Sequence, residues 1–476
     1  MEQPSPTNRR IAIVGGGIAG LAAAHRLVEL SPGCRFTLFE AGPRLGGVIS
    51  TVHQGGFQVE QSADNFITTI PYGLDLCQRL GLMDQLIQTN PAHRQTYVVR
   101  KGRLHKLPDG FLMMAPTQLW PLAVTPILSP LGKLRSALEY FIPRRKDEGD
   151  ESMAAFVRRR LGREAFERLV EPLVSSVYAA DMERLSVAAT LPRFREMERE
   201  FGSLIRAMRQ QMKDRPKGKA ESGARYSMFV TLRDGLSSMV DAIVARLPAG
   251  AVRLNTPVEG VERRGEGWRV YPAASEQPAR PEDFDALILA PPSYVAARLL
   301  KPIDAELAAA LAAIEHSGTA IVSLGYEQSL VGHSLNGMGA VVPGVERSSI
   351  LAVSFSSRKY AHRAPEGKTL LRVFVGGARR PEMAEMDDGP LRAIVLGELR
   401  PLLKIRGEPC FENIAHWPRT MPQYHVGHKQ RVAQIEARVA ALPNLALAGN
   451  AYRGVGLPDC IHGGELAAES VVARTP

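Results

Sequence analysis

The stretch Arg10-Ile-Ala-Ile-Val14, followed at once by Gly15-Gly-Gly-Ile-Ala-Gly20, decides the fold of this chain. The apolar run predicts a buried strand, the glycine run predicts a tight turn, and segment 21–30 has the apolar spacing of a helix. A second strand, 35–40, follows this helix. The strand–turn–helix–strand order is typical of doubly wound parallel sheets, so we predict an α/β fold.

The glycines have the spacing of a phosphate-binding turn, Gly15-x-Gly17-x-x-Gly20. The first glycine permits the tight turn, the second lets the backbone approach a pyrophosphate, and the third allows close helix packing. The N–H groups at the start of the helix then point at the anion. Glu40 ends the second strand, where an acid accepts a hydrogen bond from a ribose 2′-hydroxyl. We therefore predict a dinucleotide site, and the acid argues against a 2′-phosphate.

Two further buried strands are predicted far along the chain, at 284–290 and 444–449, and a helix is predicted at 465–474. The doubly wound domain is therefore built from three segments, with insertions between them. The predicted boundaries are 1–90, 226–300 and 431–476 for the cofactor-binding domain, 91–225 for an inserted helix-rich domain, and 301–430 for a mixed α/β substrate domain.

Both insertions show local periodicity. In the first, 151–174 carries apolar residues at helix spacing. In the second, strand-like stretches at 320–326 and 370–375 alternate with helices predicted at 304–314 and 390–403.

The composition is that of an ordinary globular protein. Its 476 residues are 45% hydrophobic and 23% charged, which excludes a disordered chain, a coiled coil and a collagen-like repeat. The net charge is +10, and only 12 of the 59 cations are lysine. This arginine bias suits an anionic ligand or surface, although it is equally consistent with simple compositional preference. No nucleic-acid partner is predicted.

The cysteines and the N terminus bear on the compartment. The four cysteines lie far apart without any C-x-x-C pair, so neither a zinc ribbon nor a redox dithiol is indicated and no metal site is predicted. A reducing interior suits them better than a disulfide framework. The first ten residues are polar and lack the apolar region of a signal peptide. We expect a cytoplasmic protein.

Segment 110–132 has no charged residue, yet Pro116, Pro121, Pro126 and Pro130 interrupt it. Prolines at this density would break the hydrogen bonds of a membrane-spanning helix, so a span is rejected. Two interpretations stay open, a pocket roof buried in the protein or an apolar surface that dips into one face of a bilayer. Basic residues that could meet anionic lipid headgroups follow at Lys133, Arg135, Arg144, Arg145 and Lys146.

Two motifs resemble those of a flavoenzyme superfamily. Arg44-Leu-Gly46-Gly47 stands four residues beyond Glu40 and resembles the second signature of the FAD-dependent amine oxidases. The stretch from Ala448 to Gly464 resembles their closing flavin motif. In that superfamily the glycines let the backbone pass the cofactor and the arginine supports its phosphate region. A helix N terminus faces the N1/O2 edge of the flavin ring, where reduced flavin carries negative charge.

Within this superfamily, the chain resembles the oxygen-dependent porphyrinogen oxidases of haem synthesis. The resemblance covers nearly all of 10–474 and is carried by Leu107-Pro-x-Gly110, Glu171-Pro-Leu-Val with Tyr178-Ala-Ala-Asp181, Thr231-Leu-Arg-Asp-Gly235-Leu236, Ile288-Leu-Ala-Pro-Pro292, Met421-Pro-Gln-Tyr424-x-x-Gly427-His428 and the run from Gly449 to Cys460. The chain departs from the pattern at Ser62-Ala63, where the family has Gly-Pro, and at Ala180 and Asp234, where it has glycine. These changes affect loops on the substrate side.

The motifs and the resemblance together imply a set of site residues. The cofactor-binding candidates are Gly15, Gly17, Ile18, Ala19, Gly20, Glu40, Ala41, Arg44, Gly46, Gly47, Val48, Val258, Gly449, Asn450, Gly456, Leu457 and Cys460. Asp64 and Asn65 are candidates for positioning pyrrole N–H groups, and Arg94 for pairing with a substrate carboxylate. No catalytic side chain is assigned, because the resemblance implies that flavin N5 carries the chemistry.

The resemblance implies an FAD-dependent oxidation of protoporphyrinogen IX or coproporphyrinogen III to the porphyrin by removal of six electrons. Oxygen would be the acceptor and hydrogen peroxide the by-product. An anionic membrane surface and a ferrochelatase-type protein are the further partners considered, the former with the enzyme peripheral on the cytoplasmic face. Two alternatives stay open, namely another flavin amine oxidase or carotenoid desaturase, and a non-catalytic carrier of FAD and porphyrin. Against an amine substrate, Tyr452 stands without a second aromatic residue near the flavin motif.

Overall fold

A computed structural model of the protein describes residues 9–31, 33–213, 229–273 and 280–473. Most of the polar N terminus considered above therefore lies outside the described residues.

A five-stranded parallel sheet forms the base of the fold. Its strands lie in the order Val252–Arg253, Arg35–Phe39, Arg10–Val14, Ala286–Leu289 and Leu445–Leu447. The strands predicted in the three separated segments are thus confirmed as neighbours in one sheet. The short strand at the edge was not predicted from sequence.

The order of these strands fixes where a ligand can bind. Numbered along the chain, the five strands follow the spatial order 3-2-1-4-5, which reverses direction between Arg10–Val14 and Ala286–Leu289. In open α/β sheets the ligand crevice lies at such a reversal, outside the carboxyl ends of the strands. Here those ends lead into Gly15 and Ala290, and the Ala290 N–H donates to the Val14 carbonyl at 2.8 Å.

Two long helices pack together on this sheet. The first is Ile18–Leu30 and the C-terminal helix is Leu457–Ala473. The predicted starting points, residues 21 and 465, are wrong, because the last residues of each glycine-rich turn already form helical turns. The helices approach so closely that a Cβ on Gly464 would stand 2.1 Å from the carbonyl oxygen of Ala19.

The first insertion is rich in short helices: Leu119–Val124, Pro130–Ala137, Met153–Leu161, Arg163–Ala165, Glu171–Tyr178, Val187–Thr190, Pro192–Phe201 and Leu204–Lys213, with a 3-10 turn at Leu138–Phe141 and a π-helical turn at Phe166–Val170. The helix predicted from the apolar spacing over 151–174 is confirmed, but it is divided at one residue. Gly162, at φ 90°, ends one helix and begins the next, although the apolar residues on both sides share one core.

The second insertion is built on a seven-stranded sheet in the order Phe411–Pro422, His316–Glu327, Lys368–Gly376, Ile350–Ser354, Gly339–Val341, Thr96–Arg100 and Arg103–Lys106. One face packs against helix Asp388–Leu403, and the other faces the helix-rich part. The last two strands precede most of the helices along the chain yet are hydrogen-bonded into this sheet. The domain boundaries themselves stay predictions.

The remaining elements connect these parts. The other strands are Thr51–Gln54, Phe57–Glu60, Phe66–Ile67, Leu86–Gln88, Phe111–Leu112, Ala115–Pro116, Phe229–Leu232, Val258–Arg264, Gly267–Pro272 and Glu282–Phe284. The other helices are Tyr72–Leu80, Ser237–Val244, Ser293–Leu300, Ala305–Ala312, Ser356–Lys359 and His428–Ala440, with 3-10 turns at Met83–Gln85, Pro91–His93, Gln328–Leu330, Gly344–Glu346 and Pro381–Ala384.

Segment 110–132 is partly core and partly surface. Side chains such as Phe111, Met114 and Ile127 are buried, whereas Trp120 is 75% exposed. Val124 and Leu131 in the same segment are exposed too, Leu131 by 78%, and the exposure continues beyond the segment at Leu134, Leu138 and Phe141, of which Phe141 is 74% exposed. We call these six side chains the apolar surface. None of the helices in the described residues is both long and apolar enough to cross a membrane.

Candidate active site

The three glycines of the turn at the sheet reversal have different steric surroundings. Gly15 has φ 104°, and a Cβ there would lie 3.0 Å from the backbone of Ala290. A Cβ on Gly20 would lie 1.9 Å from the Gly15 carbonyl oxygen, so the helix can approach the strand only with glycine there. Gly17 is different, because a Cβ on it would meet nothing within 4 Å.

Gly17 therefore borders open space at the start of the first helix. It occupies the N-cap of Ile18–Leu30 without a capping side chain. The N–H groups of the first helical turn, which begins with Ile18 and Ala19, have no partner within the helix and carry its positive dipole end. Open space beside N–H groups that lack a partner within the helix fits the pyrophosphate of a dinucleotide. We call this open space at Gly17 the phosphate cradle.

Glu40 is fixed beside this cradle. Its two carboxylate oxygens each accept a backbone N–H at 2.7 Å, one from Gly16 in the glycine turn and the other from Gly42, the residue after Ala41. The Glu40 backbone also bonds to Arg253 and Thr256 in the segment that leads to Val258. Val258 is buried at the start of its strand. The predicted ribose acceptor and the predicted residue Val258 thus belong to adjoining segments.

The second glycine motif closes over the first. The Gly46 N–H donates to the Gly16 carbonyl at 2.8 Å, and a Cβ on Gly47 would lie 3.1 Å from Gly17. Arg44 donates to the carbonyls of Leu45, Gly47 and Ile49. These hydrogen bonds hold the loop in place around the guanidinium. Its predicted support of a phosphate region stays a prediction. Val48 in the same loop is 39% exposed.

The C-terminal motif brings a second helix start to the crevice. Gly449, at φ 124°, follows the last parallel strand. The Asn450 side chain donates to the Thr420 carbonyl at 3.2 Å, and its own carbonyl accepts the Tyr424 hydroxyl. Gly456 precedes the C-terminal helix and accepts the Cys460 N–H at 3.0 Å. The helix start at Leu457 thus offers N–H groups to an anionic ring edge.

Cys460 itself is unsuited to thiolate chemistry. Its side chain is buried, and this burial raises the pKa of the thiol to about 12. At neutral pH the side chain is a small neutral group in the core.

The two predicted substrate residues lie in one loop, 61–66. The loop begins at Gln61, whose carbonyl accepts the Trp417 indole N–H at 2.5 Å. It ends at Phe66, which packs with Gly73 beside Pro458 of the C-terminal helix. Asp64 and Asn65 stand between these anchors, and the Asn65 amide donates to Asp64 Oδ1 at 2.5 Å. The loop thus ends beside the start of the C-terminal helix.

Asp64 is surrounded by cations. Lys359 Nζ lies 3.0 Å from each carboxylate oxygen of Asp64, and Arg372 Nη1 lies 3.3 Å from Oδ2. Burial alone would raise the pKa of Asp64, but Lys359 and Arg372 outweigh it and hold the pKa below its ordinary value. Asp64 is therefore ionised at neutral pH.

Arg94 approaches the same region along another path. It is partly buried between the turn Pro91–His93 and the strand Thr96–Arg100. The Asn90 N–H at the start of this turn donates to the Lys359 carbonyl at 2.9 Å. Arg94 Nε is buried without a hydrogen-bond partner in the part of the chain that the structure describes. Its segment is thus joined to the segment of the principal cation beside Asp64.

Lys359 and Arg372 are not among the residues predicted from sequence. Arg372 has a recognisable signal, since it interrupts the otherwise apolar strand sequence Leu370-Leu-Arg-Val-Phe-Val375. Lys359 carries no such signal, because a lysine at the end of a short helix is common on protein surfaces.

The three departures from the family pattern lie in separate loops, and one of them contacts Arg372. Ser62 offers its carbonyl to Arg372. The residue before Ala180, Ala179, has φ 47° and accepts the Ser317 hydroxyl at 3.1 Å. Asp234 precedes Gly235, where a Cβ would lie 2.3 Å from the Thr51 side chain.

The described residues contain no group of three or more potential metal-ligating side chains.

The comparison with known proteins places the whole chain. The family described as flavin containing amine oxidoreductase matches residues 18–472. The chain is 35% identical to the coproporphyrinogen III oxidase of Bacillus subtilis, over 97% of this chain and 98% of that protein. It is 31% identical to the chloroplastic protoporphyrinogen oxidase of Nicotiana tabacum, over 96% of this chain and 84% of that protein.

A solved structure agrees with this. A crystal structure from Exiguobacterium sp. 255-15, provisionally described as a protoporphyrinogen oxidase, superposes with a TM-score of 0.86 at 32% identity, covering 98% of this chain and 99% of that chain. The similarity extends through both insertions as well as the cofactor-binding part.

Proposed function

The chain belongs to the flavin-containing amine oxidoreductase family, and on that premise we propose that it oxidises a porphyrinogen to the porphyrin with FAD as its cofactor. The observation that carries this proposal is the end-to-end similarity to a relative named coproporphyrinogen III oxidase. The crevice at the sheet reversal supports it, because an open glycine cradle and an anchored acid suit a dinucleotide. Coproporphyrinogen III is the substrate that we propose first.

Each group of proposed cofactor-binding residues would hold a different part of the FAD. The turn Gly15–Gly20 and the first helical turn would hold the pyrophosphate, Glu40 the adenosine ribose, and the segment of Val258 the adenine side. The loop Arg44–Val48 would cover the phosphates from above. Gly449, Asn450 and the helix start at Gly456 and Leu457 would hold the flavin ring. When bound, the flavin supplies a two-electron acceptor, so three oxidation cycles would remove the six electrons.

The chain's own side chains would bind and orient the substrate. The ionised carboxylate of Asp64 and the amide of Asn65 would face pyrrole N–H groups. A negative charge held there would also favour the positive charge that builds on the tetrapyrrole as a hydride leaves a meso carbon. Arg94 would pair with a substrate carboxylate, for which its buried Nε is available.

We propose molecular oxygen as the final acceptor, with hydrogen peroxide as the by-product. We also propose that the enzyme works in the cytoplasm and touches an anionic membrane face through the apolar surface and its basic neighbours. The product is a flat, sparingly soluble porphyrin, so a metal-inserting chelatase is the protein that we expect to receive it.

The decisive experiment follows porphyrin fluorescence in purified protein supplied with chemically reduced coproporphyrinogen III and, separately, protoporphyrinogen IX. We expect a yellow protein, fluorescence growth faster than autoxidation, and one peroxide for each electron pair removed. A yellow protein that binds porphyrin without turnover would identify a carrier. A yellow protein that leaves both porphyrinogens untouched but oxidises an amine or a polyene would overturn the substrate class.

The control for this assay is the Gly17→Ala variant, which the structure accommodates but whose extra methyl group would occupy the phosphate cradle. It should fold, lack flavin and leave the porphyrinogens at their rate of autoxidation.

A further inference from the structure

A buried set of charged side chains lies where the seven-stranded sheet meets the loop that carries Asp64. Arg372 lies on strand Lys368–Gly376 and Lys359 at the end of helix Ser356–Lys359. Both approach Asp64, from two different elements. Arg363 and Glu60 complete the set, and both are 2% exposed.

Within this set the carboxylate of Asp64 is largely partnered. Each oxygen of Asp64 accepts a hydrogen bond from Lys359 at 3.0 Å, and Oδ1 also accepts the Asn65 amide. Arg372 approaches Oδ2 as well, at 3.3 Å. A carboxylate offers about four acceptor positions, so one is left for a pyrrole N–H of the substrate.

Arg372, in contrast to Asp64, lacks hydrogen-bond partners for part of its side chain. Its side chain is 1% exposed, and one terminal nitrogen, Nη2, donates to the Ser62 carbonyl. Its Nη1 lies near Asp64 but outside hydrogen-bond geometry, and both Nη1 and Nε lack a hydrogen-bond partner among the described residues. Buried polar groups of folded proteins are nearly always bonded, because leaving a donor unsatisfied costs free energy.

Arg363 provides the contrast within the same set. It is as deeply buried as Arg372, yet it donates to the carbonyls of Arg233 and Leu232 at 3.0 Å each. Its environment is complete without a ligand. Other arginines, such as Arg159 and Arg400, have one buried nitrogen without a partner, but Arg372 is the one arginine of the described residues that has two. These two donors call for an acceptor that the protein itself does not supply.

The strand register indicates what kind of molecule could supply an acceptor for the unbonded N–H groups of Arg372. Arg372 lies opposite Ser354, which lies opposite Gly339, which in turn pairs with Thr96. Residues in register project from one face of a sheet. At a strand spacing of about 4.8 Å this row extends for roughly 14 Å. It ends two residues from Arg94.

The next row on the same face is apolar. It consists of Phe374, Ala352, Val341 and Val98, and lies about 7 Å further along the strands. The Arg372 guanidinium lies over the Phe374 ring at 5.2 Å. Val98, Val341 and Ala352 already pack in the core shared with the helix-rich insertion. Phe374 is only partly buried, so it is the apolar side chain that a flat molecule with carboxylates at its edge would meet beside Arg372.

We propose that Arg372 binds a carboxylate of the tetrapyrrole substrate through its unbonded N–H groups and so fixes which edge of the ring enters first. This assignment rests on the proposed function and deepens it. The charges agree with it, because three cations (Lys359, Arg363 and Arg372) face the two carboxylates of Asp64 and Glu60, which leaves one positive charge in excess. An incoming carboxylate would bring the set to neutrality.

The test is a fluorescence titration of flavin-loaded protein with two ligands, coproporphyrin III and its tetramethyl ester, in the same detergent. Arg372→Gln should weaken binding of the free acid by about tenfold or more, as expected for the loss of a charge-assisted pair. Binding of the ester should change less than about threefold. Arg372→Lys should lie between the variant and the wild type, since it keeps the charge but loses the fork.

Turnover should show the same distinction. With reduced coproporphyrinogen III, Arg372→Gln should raise KM by a similar factor while kcat changes less. Arg363→Gln is the matched control, because it removes an equally buried arginine of the same set. It should lower the melting temperature, yet retain the preference for the acid over the ester.

A second variant keeps the test decisive if Arg372→Gln fails to fold. Ser354→Asp places a negative charge opposite Arg372 on the same face and should also weaken binding of the acid selectively. Equal effects on acid and ester, in either variant, would overturn the assignment and leave Arg372 a structural residue. Wild-type protein that neither binds nor oxidises porphyrinogens would instead contradict the proposed function.

Discussion

Glu139 and Arg160 form an ion pair in which neither side chain has any exposed surface. Besides Arg160, the Glu139 carboxylate accepts the Ser203 hydroxyl at 2.6 Å and the N–H groups of Leu204 and Ile205. It therefore caps helix Leu204–Lys213 while neutralising a buried arginine. The pair connects three helical pieces of the first insertion.

Removing this carboxylate should be strongly destabilising. Glu139→Ala removes the closest carboxylate from the buried guanidinium of Arg160, leaves it only the longer contact with Glu198 at 3.4 Å, and uncaps a helix. We therefore expect a loss of about 3–5 kcal/mol in urea unfolding. Glu315→Ala is the control, because its partner Arg184 and Glu315 itself are both about half exposed. That exposed pair should contribute at most about 1 kcal/mol. Equal losses in the two variants would contradict the structural role of Glu139.

Glu40→Ala should weaken the binding of the flavin, which we expect to be held without a covalent bond. The change removes the ribose acceptor, and we expect a cost of about 1–3 kcal/mol in the dissociation constant measured by flavin fluorescence. Asp283→Ala, at an exposed pair with Arg269, should bind flavin as the wild type does. Denaturation of the wild type should release all of its flavin into solution. Unchanged affinity in Glu40→Ala would remove this carboxylate from the site.

Gly17→Ala separates folding from cofactor binding. Gly17 has an ordinary φ of −70°, and its Cβ direction is open, so the flavin-free variant should unfold within about 0.5 kcal/mol of the wild type. Flavin affinity should fall at least about tenfold, equivalent to 1.4 kcal/mol. Gly20→Ala should destabilise the flavin-free protein, because its Cβ would overlap the Gly15 carbonyl. Normal flavin binding by Gly17→Ala would exclude this cradle as the phosphate site.

The apolar surface should govern membrane association. Replacing Trp120, Leu131 and Phe141 together by serine should abolish cosedimentation with anionic liposomes at low salt, because these side chains are about three-quarters exposed. High salt should release much of the wild type, since attraction to anionic headgroups is screened. Replacing Met83, which is exposed elsewhere, should have no effect. If the wild type does not cosediment at low salt, the proposal of membrane contact is wrong.

The buried His428 should make stability fall with acid. Burial, opposed only in part by the Tyr452 carbonyl at 3.1 Å, lowers the pKa of His428 from 6.5 to about 4. The folded state therefore binds fewer protons than the unfolded state below pH 6.5. The contribution of about 3 kcal/mol is fully present above pH 6.5 and is lost as the pH falls toward 4.

The matching variant is His428→Gln. Its free energy of unfolding, measured at pH 7, 5.5 and 4.5, should fall less steeply than that of the wild type. Other buried histidines titrate equally in both proteins, so the difference isolates His428. Parallel curves would show that His428 is protonated in the folded state as readily as in the unfolded one.

The parts of the site that were predictable from sequence are those encoded locally. The strand, the glycine turn and Glu40 lie within thirty-one residues, Arg10 to Glu40, so a single short stretch of sequence contains the whole motif. Helix starts were misplaced because the glycine-rich turns already contain the first helical residues. The intrinsic preference of glycine against helices conceals this.

The rest depends on distant contacts. Asp64 meets Lys359 and Arg372 across about 300 positions of sequence, and no local pattern links them. The strand Thr96–Arg100 joins a sheet whose other strands, apart from its hairpin partner, begin beyond residue 315. Helix periodicity over 151–174 concealed a break at Gly162 because the apolar faces on both sides point into one core.

The threading of the parallel sheet has a consequence for how the protein is made. The last strand, Leu445–Leu447, and the helix start at Leu457 both belong to the crevice. A ribosome must therefore synthesise both insertions before the nascent chain can close this pocket. Until then the first strand–turn–helix unit lacks its partner at Gly464, so the last part of the chain to be synthesised completes the site that the first part begins.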